Sequence, residues 1–330
     1  MIAHAPQPGV LHLVSAPSRP SSTRAPTGRT IPAYLCANAI EQGLTPAGRV
    51  ILIGDESSER AARAIGLKPH QRLTPPLGRI EMLARAIRMI AKKYDRVVCW
   101  DDELTPLLRG IPCPVDLISS RPDLATRRVS SRVHVRVFER SDRTAWESRN
   151  NQAELDSVLY RLISNPTPIL SSHTRASLGV DHDSICIGIL ADRPSDIDAR
   201  GVGFLMGLLD VSGFNLTTIV PQGSSHLTAA RRHHHGLGNH FRFLIAQDPI
   251  ISMLPVFDVL IHPCYNGSGA SSLIERVCDN LDTPVLRLTH CGRAGLSRAP
   301  GVAGPVIEAL DDLIASRSPD PIGREAEIHV

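Results

Sequence analysis

The chain is predicted to be an α/β protein made of two doubly wound parallel sheets, Rossmann-like, facing each other across a cleft. Three observations lead there. Short apolar runs alternate with helical patterns along most of the chain, the signature of a parallel sheet with helices on both faces. The alternation breaks once, at the Pro-, Ser- and Thr-rich stretch 165–172 (NPTPILSS). A length of 330 residues is enough for two domains of ordinary size. The expected division is therefore residues 1–165 and residues 166–330.

In the first half, residues 10–15 (VLHLVS), 49–54 (RVILIG), 96–100 (RVVCW), 115–119 (VDLIS) and 133–138 (VHVRVF) read as strands. Helical spacing marks 31–42, 57–65 and 79–93, the last (RIEMLARAIRMIAKK) most clearly. In the second half, strands are expected at 185–190, 215–220, 241–245, 256–261 and 284–288, with helices at 203–209, 250–254, 271–281 and 305–316. Residues 1–8 and 317–330 have turn-forming composition and no periodicity, and read as loose ends. In open parallel sheets ligands bind at the carboxyl ends of the strands, so two such domains would place a ligand in the cleft between them.

Composition bounds the function. The chain is 42% hydrophobic and 21% charged, as expected of a soluble globular protein. No apolar run approaches the roughly 20 residues of a membrane span, and no secretory signal is visible. The seven cysteines are scattered without a C-x-x-C pair, which argues against a disulfide framework or zinc knuckle and for a cytoplasmic setting. Net charge is +3, but it is unevenly placed: residues 1–150 hold 23 Lys/Arg against 14 Asp/Glu, and residues 151–330 hold 13 against 19. The basic first half leaves open an anionic acceptor or a peripheral membrane contact; attraction between the halves explains the split equally well. Nucleic acid is not expected, because aromatic residues are only 4% and no binding motif is present.

The stretch 261–284 (IHPCYNGSGASSLIERVCDNLDTP) carries the most chemistry. An apolar strand runs into a turn of small residues, Asn266 to Ser272, and a helix opens near Ser271. A turn of this kind lets backbone N–H groups and the helix dipole hold a phosphate. Ser271 and Ser272 would face it, and Glu275, one turn inside, could reach ribose hydroxyls. Close packing of a helix on a strand also requires small residues, so the turn does not decide the matter alone.

Further motifs share its neighbourhood in the right order. These are Arg175-Ala-Ser-Leu-Gly179-Val180, Ile187-Gly-Ile-Leu-Ala-Asp-Arg193 with Arg200-Gly201, the strand Phe241-Arg-Phe-Leu-Ile245, and Phe257-Asp258-Val259-Leu260-Ile261-His262-Pro263. In sequence with the turn-helix and Thr283-Pro284-Val285, they resemble the C-terminal domain of GT-B glycosyltransferases of the retaining group 1 family (family 4). The resemblance implies a nucleotide-sugar donor with Arg193 and Arg200 on its diphosphate, Ser271 and Ser272 beside them and Glu275 on the ribose. Arg keeps the charge of the family's Lys at Arg200 and presents a fork that matches phosphate oxygens. It also implies no cofactor and no bound metal.

The chain departs from that pattern at two places. The family's first acidic residue, which contacts the donor sugar, falls on Gly267, leaving Asn266 to hydrogen-bond the sugar. A histidine near the reacting sugar is replaced by Trp100, followed by Asp101-Asp102-Glu103. Asp101 is thereby a candidate catalytic residue with Asn266, although an acidic run more often caps a following helix, here 104–109. The first loop keeps one glycine before its helix, and Gly28, Arg29 and Thr30 could approach a phosphate there. The cluster His233-His234-His235, with His226 and His240, reads as a solvated loop, and Asp258 as structural. The resulting expectation is a retaining hexosyltransferase acting on an unknown acceptor (glycan, lipid or small molecule). The alternatives are a catalytically weakened nucleotide-sugar-binding or partner-binding relative, and another GT-B activity such as an epimerase.

Overall fold

A computed structural model of the chain describes residues 9–16, 29–74, 80–125, 129–149, 151–166, 173–190, 207, 215–221, 241–246, 248–263, 276–278 and 285–288. Two all-parallel sheets emerge. The first has the order β3-β2-β1-β4-β5-β6-β7, from β1 (Val10–Ser15), β2 (Arg49–Ile53), β3 (Gln71–Leu73), β4 (Arg96–Cys99), β5 (Val115–Ser119), β6 (Val133–Val137) and β7 (Ala153–Leu155). The second has the order β10-β9-β8-β11-β12, from β8 (Ile185–Ile189), β9 (Leu216–Pro221), β10 (Phe241–Ala246), β11 (Val259–Pro263) and β12 (Val285–Leu288). Strand order reverses between β1 and β4 in the first sheet and between β8 and β11 in the second, which are the two topological switch points.

Burial on both faces explains the continuous apolar runs. Along the first sheet, Leu11, Leu13, Ile51, Val97, Cys99 and Leu117 point to one apolar cluster. Their alternates Val14, Val50, Leu52, Val98 and Ile118 point to the other. Helix α1 (Thr30–Glu41) is buried from Thr30 to Cys36 and again at Asn38 and Ala39, so its apolar residues go nearly all round. The cluster on that side continues into the second half through Cys186, Leu190, Leu260, Val277 and Cys278. Polar bonds join the halves as well: Arg60 reaches Asp248, itself bonded to His173 within the second half, at 2.9 Å, and Arg276 meets Glu139 at 3.1 Å.

Helices α2 (Glu56–Ala64) and α3 (Ile80–Ala91) lie where periodicity puts them, α2 opening on a capping box between Asp55 and Ser58. Other elements differ from expectation. The helices expected at 104–109 and 250–254 are 3-10 segments, Asp102–Leu108 and Ile250–Val256, each with a proline inside that removes a helical N–H donor. The strand expected at 256–261 begins later, at Val259, because Val256 still belongs to the preceding 3-10 turn. β3 and β7, three residues each, and helices α4 (Arg140–Glu147) and α5 (Ser157–Ser164) carry too little apolar alternation, or sit too near the expected linker, to be read from the sequence. The helices expected at 203–209, 271–281 and 305–316 lie largely outside the described residues; of the second, residues 276–278 are helical.

Candidate functional site

Four neighbouring strands of the first sheet deliver polar side chains to their carboxyl ends. β1 ends in Ser15, β4 leads into Asp101 and Asp102, β5 into Ser119, Ser120 and Arg121, and β6 into Glu139 and α4. Arg29, at the N-cap of α1, turns its side chain into this group and is fully buried. Its Nη2 donates to Ser120 Oγ at 2.7 Å, and its Nη1 lies 3.4 Å from both Asp101 Oδ1 and Asp102 Oδ2. The network therefore crosses the switch point, where a ligand-binding crevice is expected.

Both carboxylates are saturated with donors. Asp101 accepts from the Ser15 hydroxyl and from the Glu103 amide at 3.0 Å, which also caps the 3-10 segment. Asp102 accepts from the Ser119 hydroxyl and from the Ser120 and Arg121 amides at 3.0 and 2.7 Å. Ser119 in turn accepts from the indole N–H of Trp146 at 2.8 Å, tying α4 to the network. Burial still pushes the Asp102 carboxyl above its ordinary range, against the pull of Arg29 and the hydrogen bonds. Arg121 forks onto Asp123 at 2.9 and 2.8 Å. Asp142, on the first turn of α4, is 5% exposed, and burial with the nearby carboxylates Glu139, Asp102 and Asp123 raises it to about 7.

Of the residues expected at a site, the structure brings Arg29 and Asp101 together, but facing inward. Asp101 is wholly buried, with both carboxylate oxygens engaged inside the first sheet. The Arg29 amide lies 3.5 Å from Ser15 Oγ. Gly28, Arg193, Arg200, Asn266, Ser271, Ser272 and Glu275 lie outside the described residues, as does the histidine string. Arg276, next to Glu275 in sequence, meets Glu139 just before α4, so the β6–α4 junction is one of the places where the two halves approach. Trp100 is buried, and its indole N–H donates to His12 Nδ1 at 3.2 Å. His12 Nε2 lies 3.1 Å from the Pro46 carbonyl, which fixes the proton on Nε2; burial lowers the ring's pKa and keeps it neutral.

Sequence reading missed Ser15, Ser119, Ser120, Asp142 and Trp146. For the serines the signal was position, apolar strand runs that close on serine at the ligand-facing edge; Asp142 and Trp146, on the mostly polar α4, carried none. In the second half, the two motifs that begin at Arg175 and Phe257 meet physically. Arg175 pairs with Asp258 and donates to the carbonyls of Val256, His182 and Ser184 at 3.3 to 3.4 Å, while Asp258 accepts from the Cys186 amide at 2.8 Å. Gly179 ends that turn at φ 70°, a left-handed conformation that favours glycine. Among the described residues no group of three His, Cys, Asp or Glu side chains could hold a metal ion, and no helix is long and apolar enough to cross a membrane.

No protein-family model matches the chain, and no curated protein does. Solved structures do. Anabaena HepE in complex with UDP-glucose superposes with a TM-score of 0.55 at 16% identity, covering 93% of this chain and 90% of that one. ADP-heptose lipopolysaccharide heptosyltransferase II of Escherichia coli gives 0.51 at 15%, covering 93% and 99%. UDP-GlcNAc 2-epimerase of Neisseria meningitidis bound to UDP-GlcNAc gives 0.51 at 12%, covering 93% and 91%. The chain has the GT-B fold. At these identities the likeness fixes the architecture and leaves the chemistry to the residues.

Proposed function

We propose that this GT-B protein is a glycosyltransferase moving a hexose from a nucleotide-sugar donor to an acceptor that is a glycan, a lipid or a small molecule. The observation that carries the reading is the coincidence of a GT-B likeness over 93% of the chain with the ordered motifs of the second half. The structural neighbours support it through what they hold: UDP-glucose in HepE and UDP-GlcNAc in the epimerase. In this proposal residues 1–165 form the acceptor side and residues 166–330 hold the donor. Arg193, Arg200 and the amides of Ser271 and Ser272 neutralise the diphosphate, Glu275 binds the ribose, and Asn266 contacts the sugar.

The reaction breaks the bond between the anomeric carbon and the diphosphate, with the sugar passing to an acceptor hydroxyl, here with retention and without a bound metal. Negative charge grows on the leaving diphosphate, and fixed guanidinium and amide donors stabilise it without reorganising. Closure of the two halves keeps water, the competing acceptor, from the donor. Asp101 and Arg29 enter as positioning residues, because their engaged groups hold the ends of β1, β4 and β5 in register at the crevice. Gly28, just before Arg29 in the sequence, approaches a donor phosphate in this proposal.

A second reading is a GT-B protein that binds a nucleotide-sugar or a partner without turnover. Burial of Trp100 and engagement of Asp101 favour it, since neither is free to act on a sugar. Epimerase neighbours make a third outcome measurable. Thermal shift with UDP-, GDP- and ADP-sugars, followed by assays for transfer, hydrolysis and epimerisation, separates the three. One donor class is expected to raise Tm, and Glu275→Ala to weaken it by about 1–3 kcal/mol. No shift with any donor would end the nucleotide-sugar reading; binding without product would leave the non-enzymatic one.

A further inference from the structure

Five aspartates are buried among the described residues: Asp101, Asp102, Asp116, Asp142 and Asp258. Four of them have an arginine: Arg29 serves Asp101 and Asp102, Arg96 and Arg136 flank Asp116, and Arg175 meets Asp258. Asp142 has none. It is 5% exposed, yet among the described residues its side chain makes no ion pair and no hydrogen bond. A buried carboxyl without a donor costs stability, and no described residue offsets that cost.

The position of Asp142 is at the crevice. Helix α4 follows β6, so its first turn stands at the carboxyl edge of the first sheet. Trp146, one turn further along the same buried face, donates to Ser119 at the end of β5. Asp142 therefore lies one turn nearer the crevice, beyond the end of β5. The field there is negative: Glu139, Asp102 and Asp123 oppose its charge, and Arg29 offsets them only in part. The neighbouring cations are engaged, Arg29 with Asp101, Asp102 and Ser120, Arg121 with Asp123, and Arg276 with Glu139. On α4 itself Arg140 is exposed and Arg143 is bonded to Glu147. Of the elements packed on α4, β6 turns only valines to that side, and the 3-10 turn Pro122–Leu124 and β7 bring Asp123 and Glu154, both acids.

We propose that Asp142 receives a protonated primary amine carried by the acceptor, on an amino sugar or another amine-bearing molecule. An ammonium brings donors to a carboxyl that has none, and its charge complements the surrounding acids. The diphosphate of the donor is repelled by the same acids, which assigns this edge to the acceptor. A metal ion is disfavoured, since among the described residues no three His, Cys, Asp or Glu side chains could hold one. The inference rests on the proposal that residues 1–165 form the acceptor side.

The test is isothermal titration calorimetry of the full chain, without donor, against glucosamine, ethanolamine, N-acetylglucosamine and glucose. The amines are expected to bind at least roughly tenfold tighter than the two neutral sugars, the scale of a hydrogen bond to a charged group. Glucosamine ahead of ethanolamine places the amine on a sugar; the reverse order places it on a lipid headgroup or a small amino alcohol. At pH 6 binding should release a proton, because burial and the neighbouring acids hold the Asp142 carboxyl up at about 7 and a bound ammonium favours its ionised form. Asp142→Asn should abolish both the preference and the proton release, while melting no lower than the wild type. The proposal is overturned if neither amine binds, if amines and neutral sugars bind alike, or if Asp142→Asn keeps the preference. Thermal shift with nucleotide-sugars is the separate test of the donor reading. Donor binding without an amine preference removes this inference alone, and an amine preference without donor binding removes the donor reading alone.

Discussion

Two arginine–aspartate knots, one in each sheet, use the same chemistry at opposite edges, with Arg29 wholly buried and Arg175 partly exposed. In the first sheet Arg29 sits among Asp101, Asp102, Ser15 and Ser120 at the carboxyl ends of β1, β4 and β5. In the second, Arg175 and Asp258 sit at the amino ends of β8 and β11. The amino-end knot is balanced: one guanidinium meets one carboxylate, and backbone carbonyls take the remaining N–H groups. The carboxyl-end knot is not balanced. Among the described residues one guanidinium serves two fully buried carboxylates, with Asp142 close enough to feel them, while Asp123 is paired with Arg121. Surplus negative potential is held at the edge that faces the crevice, while the opposite edge is neutralised and serves only to fasten a turn to two strands.

Breaking each knot tests this contrast. The largest loss is expected for Arg29→Met, which strands two buried carboxylates: about 3–5 kcal/mol at pH 7 by denaturant unfolding. That loss should shrink as pH falls, since stranded carboxylates have raised folded pKa values and their protonation relieves the charge. Arg175→Met strands one carboxylate that keeps the Cys186 amide, so about 2–3 kcal/mol is expected. Equal losses in the two variants would remove the distinction between the edges.

Asp142 sharpens it further. Its folded pKa, about 7, is above the unfolded value, so the folded chain takes up a proton between pH 4 and 7. Stability from this group is fully present below about pH 4, falls as pH rises, and is flat above pH 7. Asp142→Asn should match the wild type near pH 4 and exceed it increasingly up to pH 7; a gap that does not change with pH would contradict this. The smallest effect, about 1 kcal/mol, is expected for Trp100→Phe, which deletes the bond to His12. His12 has the opposite sign: its folded pKa is lowered, so its contribution is present above pH 6.5 and is lost as pH falls. Chemical denaturation from pH 4 to 8, in the wild type and in each variant, separates the two slopes.

The sequence by itself determined the elements whose burial is written in their own residues. β1 and β5 appear with the bounds that their apolar runs predict, α2 and α3 lie where helical spacing puts them, and the alternation of strands and helices implied two parallel sheets. Motif order also suggested the GT-B architecture, because a βα turn, a glycine stop and an Asp before a strand are local features. Tertiary structure alone decided the rest. Trp100 and Asp101 read as cleft residues because they follow a strand, yet which way they face depends on His12, Ser15 and Arg29, which lie 72 to 88 positions away along the chain. α4 is polar along most of its length and is pinned by one indole bonded to Ser119. The Arg175–Asp258 pair spans 83 positions. A local pattern records which face a residue prefers, whereas the partner that satisfies a buried charge is chosen only when the sheet brings distant strand ends together.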